Sequence, residues 1–483
     1  MSTPSDLKKI RQWLKELEPL PAHQASAAPA IANIYAPPAH EAALDPDRTL
    51  VVGGRGVGKS FWAGALLNQQ TRDVVAARYP KLGLKQCRVA LGFAEGATIE
   101  GGPPSNEVIN DLLNKDKFKP DVIWRAVVLN ALRDCVDQVL PATWRGKKGL
   151  VAWTDEDAER LEKVMRLADQ NLVRQNLRQI IVFDALDRLG EDWSQIRERS
   201  RALLRVALAL RSYKAIKLKI FMRIDQAEDS SLYDFPDASK LMGAKVDLKW
   251  ERRDLYGLLF TLLANHSPAS KPFEKLVKTH LGISLDKTEQ KGLLPDLMAD
   301  ELKQEKLFTI LAGPYMGSDR RRGKTYSWVH NHLADAFGQV SPRTFLVAFR
   351  TAAENGESLK NIVVDPKGLQ YGLQVASERR VEQLQEDFFW IRDALEPLAD
   401  LQVPCEDKAL FERWEAAGTI SIIEQSVKLG PVEFESGGAA KSLLDAMRRL
   451  GVAEKRPDGR INVPDIYRVA AKLLRKGGVR PSR

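Results

Sequence analysis

The run Gly53-Gly54-Arg55-Gly56-Val57-Gly58-Lys59-Ser60 fits the pattern GxxxxGK[ST] at every required position. No other stretch constrains the fold as much, because the pattern works only where an apolar strand enters it and a helix leaves it. Both neighbours are present: TLVV precedes the run and FWAGALLNQQ, opening at Phe61, comes after it. Glycines let backbone N–H groups turn inward around phosphate oxygens. The helix N-terminus adds its partial positive charge. Lys59 can reach β- and γ-phosphates as a point charge, and Ser60 can offer its hydroxyl to Mg²⁺. Gly53, Gly54, Arg55, Gly56, Val57, Gly58, Lys59, Ser60 and Phe61 are therefore the candidate nucleotide-binding residues. ATP and Mg²⁺ are the expected cofactors, and ATP is preferred over GTP because no NKxD-type guanine reader is visible.

Around this loop, short apolar runs alternate with longer amphipathic ones from Thr49 to about Trp250. TLVVG, RVALGF, QIIVFD, LKIFMRID and KVDLKW read as buried strands; VIWRAVVLNALRDCVDQVL and RSRALLRVALALRSY read as helices. That alternation predicts an α/β fold with a three-layer parallel-sheet core. Ligands bind at the C-terminal edge of such a sheet. Ile180-Ile181-Val182-Phe183 ends there in Asp184, the expected partner of Ser60 in holding the metal, although an Asp at that place can also cap the next helix. Asp187 can orient a water molecule or can pair with Arg188. Arg223 follows the run LKIFM and is a candidate charge sensor, with Asp225 placed to hold it. Further on, Ser341-Pro342-Arg343 opens a helix, with Ser341 as N-cap and Pro342 at the first position. Arg343 then lies where the helix dipole disfavours a cation, so an anion such as a γ-phosphate is its expected partner. A solvated surface arginine is the alternative for both Arg223 and Arg343.

The chain of 483 residues is 44% hydrophobic, enough for a sizeable core. It carries no apolar run of about 18 residues, so no membrane span is expected. The N-terminus is charged and lacks a signal-peptide core. Cys87, Cys135 and Cys405 are too few and too scattered for a disulfide framework, which points to a reducing cytoplasm. The net charge is +9. From Lys441 to the end, twelve basic residues face four acidic ones, so nearly all of the excess sits in the tail. A local basic end suggests a polyanion partner, DNA first. Helix, hairpin and helix are expected over Ala439–Leu450, the turn Pro457-Asp458-Gly459 and Pro464–Lys476, the order of a winged-helix module. Lys441, Arg448 and Arg449 would lie on its recognition helix, and Lys455, Arg456 and Arg460 on its wing. Winged helices also dock proteins, so a protein contact is the competing reading. His330 and His332, two apart on a helical stretch, face different sides and do not suggest a metal site. The basic loop Asp319-Arg320-Arg321-Arg322-Gly323-Lys324 suits a solvated surface best, with an arginine finger or nucleic-acid contact as alternatives.

Gly53–Ser60, Asp184-Ala185-Leu186-Asp187-Arg188, Arg223 and Ser341-Pro342-Arg343 together resemble the KAP/STAND-like and AAA+ branches of P-loop ATPases. The run Asp184–Arg188 is similar to the DDLDR-type signature of KAP ATPases, with Ala185 in place of the second acid. Many ATPases of the additional-strand class put their water-activating acid at that position, so the departure leaves that role unassigned. The resemblance covers about Thr49 to Arg350. It implies ATP hydrolysis, a helical lid and a setting in bacterial antiviral defence, with partner proteins of the same operon and a homo-oligomer as further implications. The order of the segments is also similar to that of AAA+ replication initiators. The expected organisation is a first helix over 1–17, a Pro/Ala-rich linker or extended strap over 18–48, an ATPase core over 49–250, a helical lid over 251–400 and a winged helix over 401–483. The expected activity is that of an ATP-dependent, DNA-associated motor or switch. The alternatives are a STAND-like scaffold whose tail binds protein, or an initiator-type DNA loader.

Overall fold

The computed structural model describes residues 4–17, 27–96, 101–136, 139–285, 297, 300–355, 361–426, 438–479 and 481. The chain divides into two compact units. One is Ala22–Lys249, and the other joins Met1–Pro21 to Trp250–Arg483.

The first unit is built on five strands: β1 (Leu50–Gly53), β2 (Cys87–Phe93), β3 (Arg178–Phe183), β4 (Ile216–Arg223) and β5 (Val246–Asp247). They lie in the order β2-β3-β4-β1-β5, and every pairing is parallel. The continuous apolar runs are the cause, since a strand covered on both faces has no polar side to show. Leu50, Val52, Ile181, Phe183, Leu218 and Ile220 pack under the helices Pro120–Ala131, Ala158–Arg174 and Trp193–Ala209. Their neighbours Val51, Ile180, Val182 and Phe221 point the other way, as strand geometry requires. They are as fully buried, and the helix Lys59–Leu67 runs against the sheet there. The result is a three-layer α/β core. Because β4 lies between β1 and β3, the ends of those three strands stand side by side.

Of the two readings of the Pro/Ala-rich stretch, its described part from residue 27 is a packed strap. Ile34, Tyr35 and Ala36 are buried, and Tyr79 Oη donates to Pro37 O at 2.6 Å. The Lys219 ammonium, on β4 and fully buried, donates to Ala43 O at 3.1 Å, to Asp45 O at 2.5 Å and to Arg48 O. Burial pulls its pKa down to about 7. His40, held neutral by burial that lowers its pKa to about 4, accepts from Trp62 Nε1 at 3.1 Å and donates to Lys249 O at 2.9 Å. Trp62 lies on the helix after the glycine loop, so the strap reaches the site through one imidazole.

The second unit is mostly helical. The N-terminal helix Pro4–Glu16 lies against Pro342–Glu354, and Arg11 donates from Nε to Ala353 O at 3.0 Å and from Nη2 to Asn355 O at 2.7 Å. Two helices, Ser270–Leu281 and Glu301–Ala312, belong to the same unit. Two more helices, Pro366–Gln385 and Trp390–Leu395, lie farther along the chain. Pro342–Glu354 and Pro366–Gln385 cross closely at Gly368 and Gly372, where a Cβ would collide with the backbone oxygens of Ala352 and Ala348.

In the tail, helices Asp407–Ala416, Thr419–Ser426 and Ala439–Arg449 precede an antiparallel hairpin, β6 (Glu454–Lys455) with β7 (Ile461–Asn462). Gly459 turns the hairpin at φ 88°, and Cys405 adds a one-residue bridge to Ile461. The last helix is shorter than expected: Asp465–Arg468 rather than Pro464–Lys476. The chain leaves helical geometry at Lys472, φ 56°, so that Leu474 can bridge Gln402.

Candidate functional site

β1 delivers the chain into the glycine loop. Gly53 must lack a side chain, because a Cβ there would lie 2.7 Å from Val57 Cγ2. Gly56 and Gly58 take φ 79° and 103°, the left-handed region that glycine enters at little cost. Gly58 then serves as the N-cap of Lys59–Leu67, which leaves that helix's first N–H groups for a ligand. Lys59, partly buried, donates to Gly53 O and Gly54 O, both at 2.8 Å. Burial pulls its ammonium down to about 8, and the Asp184 charge opposes that. Phe61 sits in the first helical turn, edge-on to Trp62 at 5.4 Å.

Asp184 follows β3 directly and is 2% exposed. Burial pushes its carboxyl pKa up, while a hydrogen bond from Ser60 and the Lys59 charge draw it back. A hydroxyl bonded to a buried carboxylate is a pair of hard oxygen donors, the chemistry Mg²⁺ takes when substrate oxygens and water complete its shell. The residues present therefore fit nucleotide and magnesium. Of the residues expected here, the structure brings Lys59, Ser60, Asp184, Asp187 and Arg223 to one edge of one sheet.

Arg223, at the end of β4, is gripped by Asp225 in bidentate fashion, Nε to Oδ1 at 2.9 Å and Nη2 to Oδ2 at 3.0 Å. Its Nη1 donates to Asp187 Oδ2 at 3.3 Å. Asp187 lies 3.9 Å from Arg188 Nε, so Arg223 is its nearer partner. Arg188 Nε also approaches Glu95 Oε2 at 3.6 Å. Sequence reasoning passed over Glu95. It stands two residues beyond the apolar run RVALGF, past the same edge of the sheet as Asp184.

The remaining expected residues lie in the second unit. Arg343 occupies the first turn of Pro342–Glu354, whose N-cap Ser341 Oγ accepts from Thr344 N at 3.1 Å. Lys441, Arg448, Arg449, Lys455, Arg456 and Arg460 are all exposed, the first three on Ala439–Arg449 and the rest on the hairpin. Arg448 pairs with Asp445 at 2.9 Å and Arg460 with Asp458 at 2.7 Å. Two other tail cations point inward. Arg468 is buried against Asp465 at 2.6 Å, and Arg475 reaches the same carboxylate at 2.9 Å. In the loop before Thr325, Arg321 pairs with Asp319 at 2.9 Å and Lys324 with Glu305 at 2.6 Å. Among the described residues, no helix is long and apolar enough to cross a membrane.

No protein-family model matches the chain, and no curated protein matches it. Two solved structures are similar along most of their length. One is the Aeropyrum pernix ORC2 protein in ADPNP–ADP complexes, at 13% identity and a TM-score of 0.31 over 90% of this chain and 93% of that one. The other is the Aeropyrum pernix ORC1 protein in complex with DNA, at 13% identity and a TM-score of 0.34 over 95% and 94%. Likeness at that level carries no functional argument for this chain, whose own residues must supply it.

Proposed function

We propose that the chain is an ATP-binding and hydrolysing P-loop ATPase, related to the AAA+ and KAP/STAND-like branches, that works as a nucleotide-dependent, DNA-associated motor or switch. One observation carries the reading: Lys59, Ser60, Asp184 and Arg223 converge where three parallel strands end, around a loop whose glycines turn its backbone toward one point. The main-chain amides would hold the triphosphate, and Lys59 would leave the carbonyls of Gly53 and Gly54 for the β- and γ-oxygens. Mg²⁺ held by Ser60 and Asp184 would neutralise charge that builds up on those oxygens. Arg223, pre-aimed by Asp225, would read the γ-phosphate. Arg343, from the lid, would add a second cation in the presence of nucleotide.

For the tail, the observation that favours DNA is the exposure of all six candidate cations on one helix and the hairpin after it, the arrangement of a winged helix. A bacterial defence setting, operon partners and a homo-oligomer extend the same proposal on the strength of the sequence resemblance. The scaffold reading stays distinct from it, because it needs nucleotide but no DNA.

Fluorescent ATP titration of Lys59→Ala tests the site. Two charge-assisted hydrogen bonds at about 1.5–3 kcal/mol each predict affinity weaker by about 100-fold or more. Unchanged affinity overturns the site. Duplex DNA titrated against the full chain at several salt concentrations tests the tail. A log–log slope near zero, or no binding, moves the tail to the protein-docking reading.

A further inference from the structure

We infer that Glu95, two residues past the strand beside the metal-binding one, is the carboxylate that activates the attacking water. This rests on the ATPase reading above and fills a role that reading leaves vacant. Asp184 is followed by Ala185, whose methyl cannot take a proton and whose backbone turns left-handed at φ 56°. The acid missing from β3 is supplied across the sheet. β2 and β3 run parallel, with Phe93 level with Phe183. Pairing continues past the strand ends, because Asp184 N donates to Phe93 O at 2.9 Å. Glu95 comes two residues later, where the chain turns away from the sheet.

That register is not the default one. Leu91 is level with Val182, yet Phe93 is level with Phe183, so β2 holds one extra residue, Gly92. Without this bulge the chain would run one residue farther out past β3 before it turns. The bulge demands glycine, since a Cβ at Gly92 would lie 2.5 Å from the Phe183 ring. A fixed, glycine-dependent irregularity thus sets where the chain leaves β2 and brings Glu95 beside Arg188, in the turn that follows Asp184.

The neighbours of Glu95 suit the task. Arg188 lies 3.6 Å away, and its carbonyl is held by Asn106 Nδ2 at 2.7 Å. Asp187, the other acid in reach, is already bound to Arg223 and is better placed to aim that arginine than to accept a proton. Glu95 is exposed enough to admit water, with 59% of its side chain accessible. In the step assigned to it, the water oxygen bonds to the γ-phosphorus as the bond to the β–γ bridging oxygen breaks. ADP leaves with that electron pair, and Glu95 takes the water's proton.

The test uses the full-length chain, measuring fluorescent ATP binding and single-turnover hydrolysis for wild type, Glu95→Gln, Glu95→Asp and Asp187→Asn. Glu95→Gln should bind ATP within about threefold of wild type and turn over about 100-fold or more slowly. Glu95→Asp, whose carboxylate is one methylene short, should fall between and remain folded by circular dichroism. Hydrolysis by Glu95→Gln within about threefold of wild type overturns the inference, as does a loss confined to Asp187→Asn. A wild-type chain that binds ATP without hydrolysing it removes Glu95's role and the hydrolytic part of the reading above, and leaves nucleotide binding standing. A wild-type chain that binds no ATP removes the underlying reading as well.

Discussion

Asp254 is the fully buried acid of the helix Arg252–Asn265, and replacing it with asparagine should stabilise the protein. Its Oδ2 accepts from Glu251 N at 3.3 Å, but among the described residues its buried Oδ1 meets no hydrogen-bond donor. Burial pushes the carboxyl from 3.8 to about 6, against the weaker pull of that N–H and of Arg253. At neutral pH the folded chain therefore keeps a buried charge that the unfolded chain keeps in water. Between these pH values the folded form retains a proton that the unfolded form has lost. Stability from this group is thus full below about pH 4 and lost as pH rises through about 6. At 1.36 kcal/mol per tenfold, the loss is about 3 kcal/mol. The Asp254→Asn variant keeps an acceptor for Glu251 N and carries no charge. Removing an anion from a helix N-terminus costs about 0.3–1 kcal/mol, leaving a net gain of about 2 kcal/mol. Scanning calorimetry at about pH 7.5 should show the transition of the unit containing this helix raised by about 4–8 °C. At about pH 4 the advantage should shrink to nothing or reverse slightly. A lower transition at the higher pH, or an equal gain at both, refutes the assignment of a buried charge to Asp254.

Two further outcomes are expected. Arg343→Ala should slow ATP turnover roughly tenfold or more while ATP affinity stays within about threefold, read by steady-state hydrolysis and fluorescent titration; equal turnover would make Arg343 a surface residue. Gly372→Ala should gain about 1 kcal/mol of helix propensity but force Ala348 O aside at a cost of about 1–3 kcal/mol, so thermal unfolding should move down or at best stay level, and a clear rise would show that the two helices part freely.

The glycine loop and the strand end beside it were legible because each is short and contiguous. A glycine run between an apolar strand and a helix identifies itself, and QIIVF ending in Asp184 marks a strand end by hydrophobicity alone. Glu95 was not legible, since its place depends on a register between strands far apart in sequence and on a bulge no composition announces. The helix Ser270–Leu281 was missed because Lys and Glu surround its few buried residues, Pro272, Phe273, Leu276 and Val277. In the tail, Arg468 and Arg475 looked like surface charge. Arg468 pairs with Asp465 one turn back, and Arg475 returns to the same carboxylate after the chain turns at Lys472.

The strap shows a different kind of constraint. Lys219 grips it through the carbonyls of Ala43, Asp45 and Arg48, and every amino acid brings that same oxygen. Side chains along this segment can therefore drift over generations while its path is preserved, provided the lysine stays. Related chains would then share the buried cation on the central strand and little recognisable text ahead of the glycine run.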